Sequence, residues 1–268
     1  MRIVRFANAQ GEIQYGHEAE DGSILAIRGD IFDDYEATGE PANVSRLLTP
    51  VAPVAIMGIG QNYQHHCREM GGEPPEHPVL FMKLPSSAQA PGGQIVLPRF
   101  LASDKVDYEC ELAIVIGKRC KNTTAEHALD YVLGYMCAND VSARDWQKTW
   151  GGSQWCRGKT FDTFCPLGPC LTTTDEIPDP NQLKISTVLN GEVLQDWNTD
   201  DMIFSVPELV AFLSGSTTLL PGTVILTGTP HGVGSARTPP RFLQPGDTVT
   251  VEIEKIGALT NKVVAEEI

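Results

Sequence analysis

Glu109 and Glu111 stand one residue apart in a run that otherwise reads as a buried β-strand, Asp107-Tyr108-Glu109-Cys110-Glu111-Leu112-Ala113-Ile114-Val115-Ile116-Gly117. In a strand, residues i and i+2 point to the same face. Both carboxylates therefore aim one way, with Leu112, Ile114 and Ile116 on the other face. Two buried like charges that close cost several kcal/mol unless they are neutralised. A divalent cation neutralises fixed carboxylates, which makes the stretch a candidate metal site. The same pattern also describes the solvated face of an edge strand, and Glu-x-Glu alone leaves the two readings level. Asp140 follows the apolar run Tyr135-Met136-Cys137-Ala138 and can join the two glutamates from a neighbouring strand. Three carboxylates plus water suit Mg²⁺, Mn²⁺ or Ca²⁺. Taken alone, Asp140 reads as a cap or turn residue.

His66 and Glu69 lie three apart in the segment Tyr63 to Met70, a spacing that puts them on one helical face. A carboxylate that orients an imidazole raises its basicity, which is how a water becomes a nucleophile. A surface pair is the alternative. His65 points about 100° away around the same helix. Lys159, between Gly158 and Thr160-Phe161, is either a point charge in a pocket or an exposed lysine. Leu226 to Gly234 is a strand entering a glycine-rich loop without the Gly-Lys-Ser/Thr ending of a phosphate loop. Gly58-Ile59-Gly60 lacks the third glycine of a dinucleotide fingerprint, and no Gly-x-Ser-x-Gly elbow occurs.

These residues need strands to hold them. Short alternating runs at Ile3 to Ala7, Ile13 to Gly16 and Ser23 to Ile27 predict a small β-rich domain over residues 1–52, with a short helix at 44–49 stopped by Pro50. A larger domain over residues 53–268 begins with the apolar strand near Val54 to Gly58. Further strands are predicted at Val79 to Lys83, Ile95 to Leu97, Glu109 to Ile116, Val132 to Ala138, Leu183 to Leu189, Val224 to Thr227 and Thr248 to Ile253. Asn62 reads as the N-cap of a helix over Tyr63 to Met70 that Gly71-Gly72 ends. Ser205-Val206-Pro207-Glu208 reads as a capping box for a helix to Ser214. Strands outnumber helices without a regular βαβ rhythm, so the expected class is α+β, mostly β.

The chain of 268 residues carries a net charge of −14, with a pI of about 4.8. Such acidity disfavours nucleic acid and anionic membrane surfaces as partners, and no stretch of about 18 apolar residues is present. Seven cysteines, an odd number without Cys-x-x-Cys, argue against a disulfide framework and structural zinc. Without a leader pattern at Met1 to Phe6, the expectation is a cytoplasmic protein.

Six motifs in order then carry a resemblance. They are Gly58-x-Gly60-x-Asn62-Tyr63-x-x-His66-x-x-Glu69, Phe81-Met82-Lys83, Glu109-x-Glu111-Leu112, Asp140-Val141-Ser142-Ala143-Arg144-Asp145-Trp146-Gln147, Gly158-Lys159-Thr160-Phe161-Asp162 and Thr227-Gly228-Thr229-Pro230. Over about residues 54–255 the chain resembles the fumarylacetoacetate hydrolase family. The longer run Gly158 to Pro169 and the tail Phe242-Leu243-x-x-Gly246-Asp247 are similar to its domain-containing 2 subgroup. The resemblance implies a mixed β-roll catalytic domain, a homodimer, and a Mg²⁺-type site made by Glu109, Glu111 and Asp140. It implies small 2-oxo or 1,3-dicarbonyl acids as substrates.

Such reactions pass through an enolate beside a carboxylate. Three carboxylates around a doubly charged ion leave about one negative charge, so cations must attend an anionic substrate. Lys159 is expected at the enolate. Arg144 and Gln147 are expected at the substrate's far end, Thr229 at its carboxylate and Lys83 among the substrate contacts, while His66 with Glu69 would activate water. The leading expectation is hydrolysis of a C–C bond in an acylpyruvate. The alternative on the same residues is an oxaloacetate tautomerase or decarboxylase, and a third reading is a non-catalytic binder of a metal–dicarboxylate complex.

Overall fold

The computed structural model describes residues 1–152 and 154–268. Among these, twelve strands form one sheet. Its main path runs from Tyr35–Pro41 through Ile24–Gly29, Ile13–Glu18, Arg2–Ala7, Cys165–Thr173 and Val132–Asn139 to Cys110–Ile116, then Thr223–Leu226, Ala55–Gly60 and Val79–Lys83. A five-stranded sheet runs Glu192–Asn198, Lys184–Leu189, Thr248–Ile253, Gly257–Ala265, Gln94–Leu97. The α+β, mostly β class is what the chain adopts.

The strand that carries Glu111 is central. Cys110–Ile116 pairs antiparallel with Val132–Asn139 on one side and with Thr223–Leu226 on the other. All seven of its residues are buried. Leu112, Ile114 and Ile116 enter a core that includes Ile185, Val251, Ile253 and Leu259 of the five-stranded sheet. Ala113 and Val115 enter the opposite core with Ile3, Ile56 and Val224. Strands buried on both faces read as near-continuous β-branched and apolar runs, which is why only the glutamates break the pattern. The solvated-edge reading of Glu-x-Glu is thereby removed.

The helix Val206–Ser214 has the predicted capping box, with the Ser205 backbone N–H donating to Glu208 at 2.7 Å. Two local expectations fail. Residues 44–49 contain a short strand, Arg46–Leu47, instead of a helix; it pairs with Phe6 and Ala7. Six residues gain more from an open strand edge than from one helical turn. Asn62 does not cap the helix Gln64–Glu69; Tyr63 occupies that position and no side chain caps it. The Asn62 amide, fully buried, turns inward. It donates to the carbonyls of Thr227 (2.8 Å) and Phe204 (3.0 Å) and accepts from the Phe204 N–H (2.8 Å). It thereby ties the helix that carries His66 to two other loops.

Among strands longer than two residues, Tyr35–Pro41, Cys165–Thr173, Glu192–Asn198 and Gly257–Ala265 are not predicted from the sequence. The longest with breakers, Cys165–Thr173, contains Pro166, Gly168 and Pro169, residues that signal a loop. It holds together because neighbours on both sides supply its hydrogen bonds.

Asn62→Ala removes three hydrogen bonds and leaves buried backbone groups unpaired. It should cost about 2–4 kcal/mol of stability, measured as a shift in urea midpoint at unchanged slope.

Candidate active site

The three acids come together by register. Glu111 faces Ala138, and Cys110 faces Asn139, across two antiparallel strands. The ladder continues past the strand end, where the Asp140 N–H donates to the Glu109 carbonyl at 2.9 Å. One oxygen each from Glu109, Glu111 and Asp140 then lies within 4.8 Å of the others, and all three residues are buried. Asp107, also buried, lies just upstream.

Four buried carboxyl groups face three buried cations. Lys159 donates to Glu109 (2.6 Å) and to Asp140. Lys83 donates to Asp140 at 2.6 Å. Arg144 donates through Nε to Asp107 at 2.8 Å, and its Nη2 lies 2.7 Å from Glu109. The unmatched acid is Glu111, whose hydrogen-bond donor is the Gly228 backbone N–H at 2.7 Å. Burial, and then the neighbouring Asp140 and Glu109, push the Glu111 carboxyl well above the usual carboxylate range. Burial alone would raise Glu109 as well, but Arg144 and Lys159 outweigh it and hold that carboxylate far below the ordinary value. Lys159 is likewise raised, the carboxylates of Asp140 and Glu109 overcoming its burial. One excess negative charge on hard oxygen donors fits a divalent cation of the Mg²⁺ type.

The dyad forms as expected: His66 Nδ1 lies 3.0 Å from Glu69 Oε2. The other Glu69 oxygen accepts from the Gly232 N–H at 2.8 Å, so the helix is clipped to the glycine-rich loop. His65 turns away to Asp201, Nδ1 to Oδ1 at 2.8 Å. Asp107 accepts from the Gly234 and Ser235 N–H groups (2.7 and 2.9 Å), which ties the same loop to Arg144.

A cleft of about 180 Å³ opens over the acids. Its lining includes His66, Glu109, Glu111, Arg144, Gln147, Lys159 and Thr229. Glu69 and Asp140 sit behind them. Lys83, expected among the substrate contacts, is outside that lining, with its ammonium buried against Asp140. Gly58 and Gly60 are there for space. A Cβ at Gly58 would come within 2.2 Å of the Phe81 ring, and one at Gly60 within 2.1 Å of Trp155. Both rings line the cleft.

Sequence reasoning missed Trp155, Lys148 and Gln195. Lys148 directly follows Gln147 in the chain, the one sequence feature that points to it. Gln195 had none. Its Oε1 accepts from the Cys110 N–H (3.0 Å) and the Thr187 hydroxyl (2.7 Å). A backbone N–H can only donate, so the amide orientation is fixed, and Nε2 must donate to Thr229 Oγ1 (2.9 Å) and the Pro230 carbonyl (2.9 Å). Thr229 Oγ1 is therefore an acceptor inside the protein, and its own proton is left for the cleft.

Comparison with known proteins follows the same lines. Residues 55–264 match the family model described as fumarylacetoacetate (FAA) hydrolase C-terminal. The chain belongs to the fumarylacetoacetate hydrolase family. Residues 1–50 match a second model, Rv2993c-like, N-terminal. Oxaloacetate tautomerase FAHD2A, mitochondrial, of Homo sapiens is 49% identical over 225 residues, covering 84% of this chain and 71% of that protein, in keeping with the domain-containing 2 resemblance. Among solved structures, 5-carboxymethyl-2-hydroxymuconate delta-isomerase from Mycobacterium smegmatis is 39% identical with a TM-score of 0.87, covering 99% of this chain and 100% of that one. Fumarylacetoacetate hydrolase from Exiguobacterium antarcticum is 36% identical with a TM-score of 0.89 at the same coverage. The mixed β-roll expected from the motifs is the fold these relatives share.

Glu111→Gln removes the unmatched charge while keeping shape. The metal-free variant should melt about 2–4 °C higher than the parent. Added Mg²⁺, which should raise the parent's Tm, should leave the variant's unchanged; differential scanning calorimetry reads both.

Proposed function

We propose that the protein catalyses keto–enol tautomerisation of a short 2-oxo diacid, with oxaloacetate as the first candidate. The observation that carries this is the compact set of proton-handling and charge-balancing groups around one small cleft. Its volume lies below the range typical for drug-sized ligands. Relatives named as tautomerases and isomerases support this reading over C–C hydrolysis.

Glu109, Glu111 and Asp140 would hold a divalent cation of the Mg²⁺ type, which when bound supplies Lewis-acid stabilisation of a developing enolate. The remaining work falls to the chain's own side chains. With Nδ1 committed to Glu69, His66 Nε2 is the nitrogen free to accept a proton from C3 of the substrate. The C2 oxygen takes up a proton in exchange, and the reverse sequence returns the keto form. The step consumes no water and needs no redox partner. Lys159, held between Glu109 and Asp140, presents its ammonium to the enolate side of the cleft. Thr229 donates its hydroxyl proton to the substrate carboxylate. Arg144 bonds to Gln147 Oε1 at 3.0 Å, which leaves the Gln147 amide N–H groups to the substrate. Lys83 is assigned to fixing Asp140 instead of touching substrate.

A second reading, hydrolysis of an acylpyruvate, keeps one supporting observation: the His66–Glu69 pair could equally activate a water. Loss of activity toward enol-oxaloacetate together with turnover of acylpyruvates would favour it. Among the described residues, no helix is long and apolar enough to cross a membrane. A homodimer remains part of the proposal. The edge strand Val79–Lys83 exposes Leu80 and Met82, with Leu84 just beyond, on one face.

His66→Gln should lower kcat for oxaloacetate tautomerisation by about 100-fold or more with Mg²⁺ affinity retained, measured by loss of enol absorbance and by calorimetry. Gln195→Glu keeps the acceptor facing Cys110 but makes the Thr229 hydroxyl donate inward. It should raise KM about tenfold with kcat little changed, and an equal fall in kcat would refute that role.

A further inference from the structure

Lys148 lines the cleft and, among the described residues, forms no ion pair. The other cationic side chains lining it, Arg144 and Lys159, are both held by carboxylates. Its segment, Asp145–Trp150, is wound as a π-helical turn. Such turns are rare and concentrate at functional sites. Asp145 anchors the turn by accepting from the Ser103 hydroxyl at 2.7 Å. Trp146 and Trp150 pack edge to face with centroids 5.1 Å apart. With these fixed, Gln147 and Lys148 both border the cleft beside Arg144.

Charge balance then distinguishes substrates. The four buried carboxyl groups exceed the three buried cations by one, and a divalent ion turns that into one excess positive charge. A monoanionic 2-oxo acid neutralises the site without help. A dianionic one leaves a negative charge, and Lys148 is the unclaimed cation at the mouth. Burial, followed by the Arg144 guanidinium, lowers the Lys148 pKa, and a carboxylate beside it would reverse that penalty.

We propose that Lys148 receives the distal carboxylate of a dianionic 2-oxo acid and so selects diacids over monoacids of similar length. The proposal rests on the 2-oxo acid reading given above. Calorimetric titration of the Mg²⁺-loaded protein tests it with oxaloacetate, 2-oxobutanoate and pyruvate as ligands. Lys148→Met should weaken oxaloacetate binding about tenfold, the size of one charge-assisted contact, and raise KM for it in step. Binding of 2-oxobutanoate and pyruvate should stay within about twofold, and Lys148→Arg should restore the diacid. Equal weakening of all three ligands, or of none, would overturn the assignment. If the parent protein bound none of them, the 2-oxo acid reading itself would fall, and the role of Lys148 with it.

Discussion

One unmatched negative charge organises this protein's interior. Glu109, Glu111 and Asp140 are brought within 4.8 Å by strand register alone, and register cannot slip by one residue without sending every side chain to the wrong face. Lys83, Arg144 and Lys159 arrive from three separate stretches to neutralise all but one of the four acids around the cleft. Removing any of these cations would strand a buried carboxylate, which is costlier than losing a surface ion pair. The fold therefore holds these acids at the limit of what its own cations can offset, an imbalance that suits a doubly charged ion.

The support for that centre is asymmetric. On one side the carboxylates are locked by strand backbone and buried ammonium groups. On the other, the glycine-rich loop is held largely by side chains, among them Glu69 to Gly232, Asp107 to Gly234 and Ser235, and Gln195 to Thr229 and Pro230. Each contact joins the loop to a group that itself serves the cleft. The loop therefore cannot shift without disturbing the imidazole, the guanidinium or the Thr229 hydroxyl.

Much of this was legible in the chain. The Glu-x-Glu pair, Asp140, the His66–Glu69 spacing and Lys159 all stand out because polar residues in apolar or glycine-flanked runs need a reason. The central strands were legible because their β-branched runs are long. What escaped notice follows from long-range pairing. Gln195 lies 85 residues from Cys110, and only the folded sheets bring them into contact. Cys165–Thr173 is not predicted as a strand because its prolines and glycine mask the pattern of an interior strand. The helix expected at residues 44–49 failed because an open strand edge elsewhere in the chain claimed that segment. Asn62 matches an N-cap in type and position, yet its buried amide serves distant loops instead of its own helix.

The amino-terminal segment has a meaning beyond its own strands. Arg2–Ala7 joins the large sheet beside Cys165–Thr173, and Ile3, Ile31 and Val51 pack into the same core as Ala113 and Val115. Those two residues lie on the reverse side of the strand that bears Glu111. The first fifty residues thus form the backing plate of the acidic cluster. Substitutions that loosen this distant module would be felt as a change in carboxylate spacing, without any replaced atom coming near the substrate.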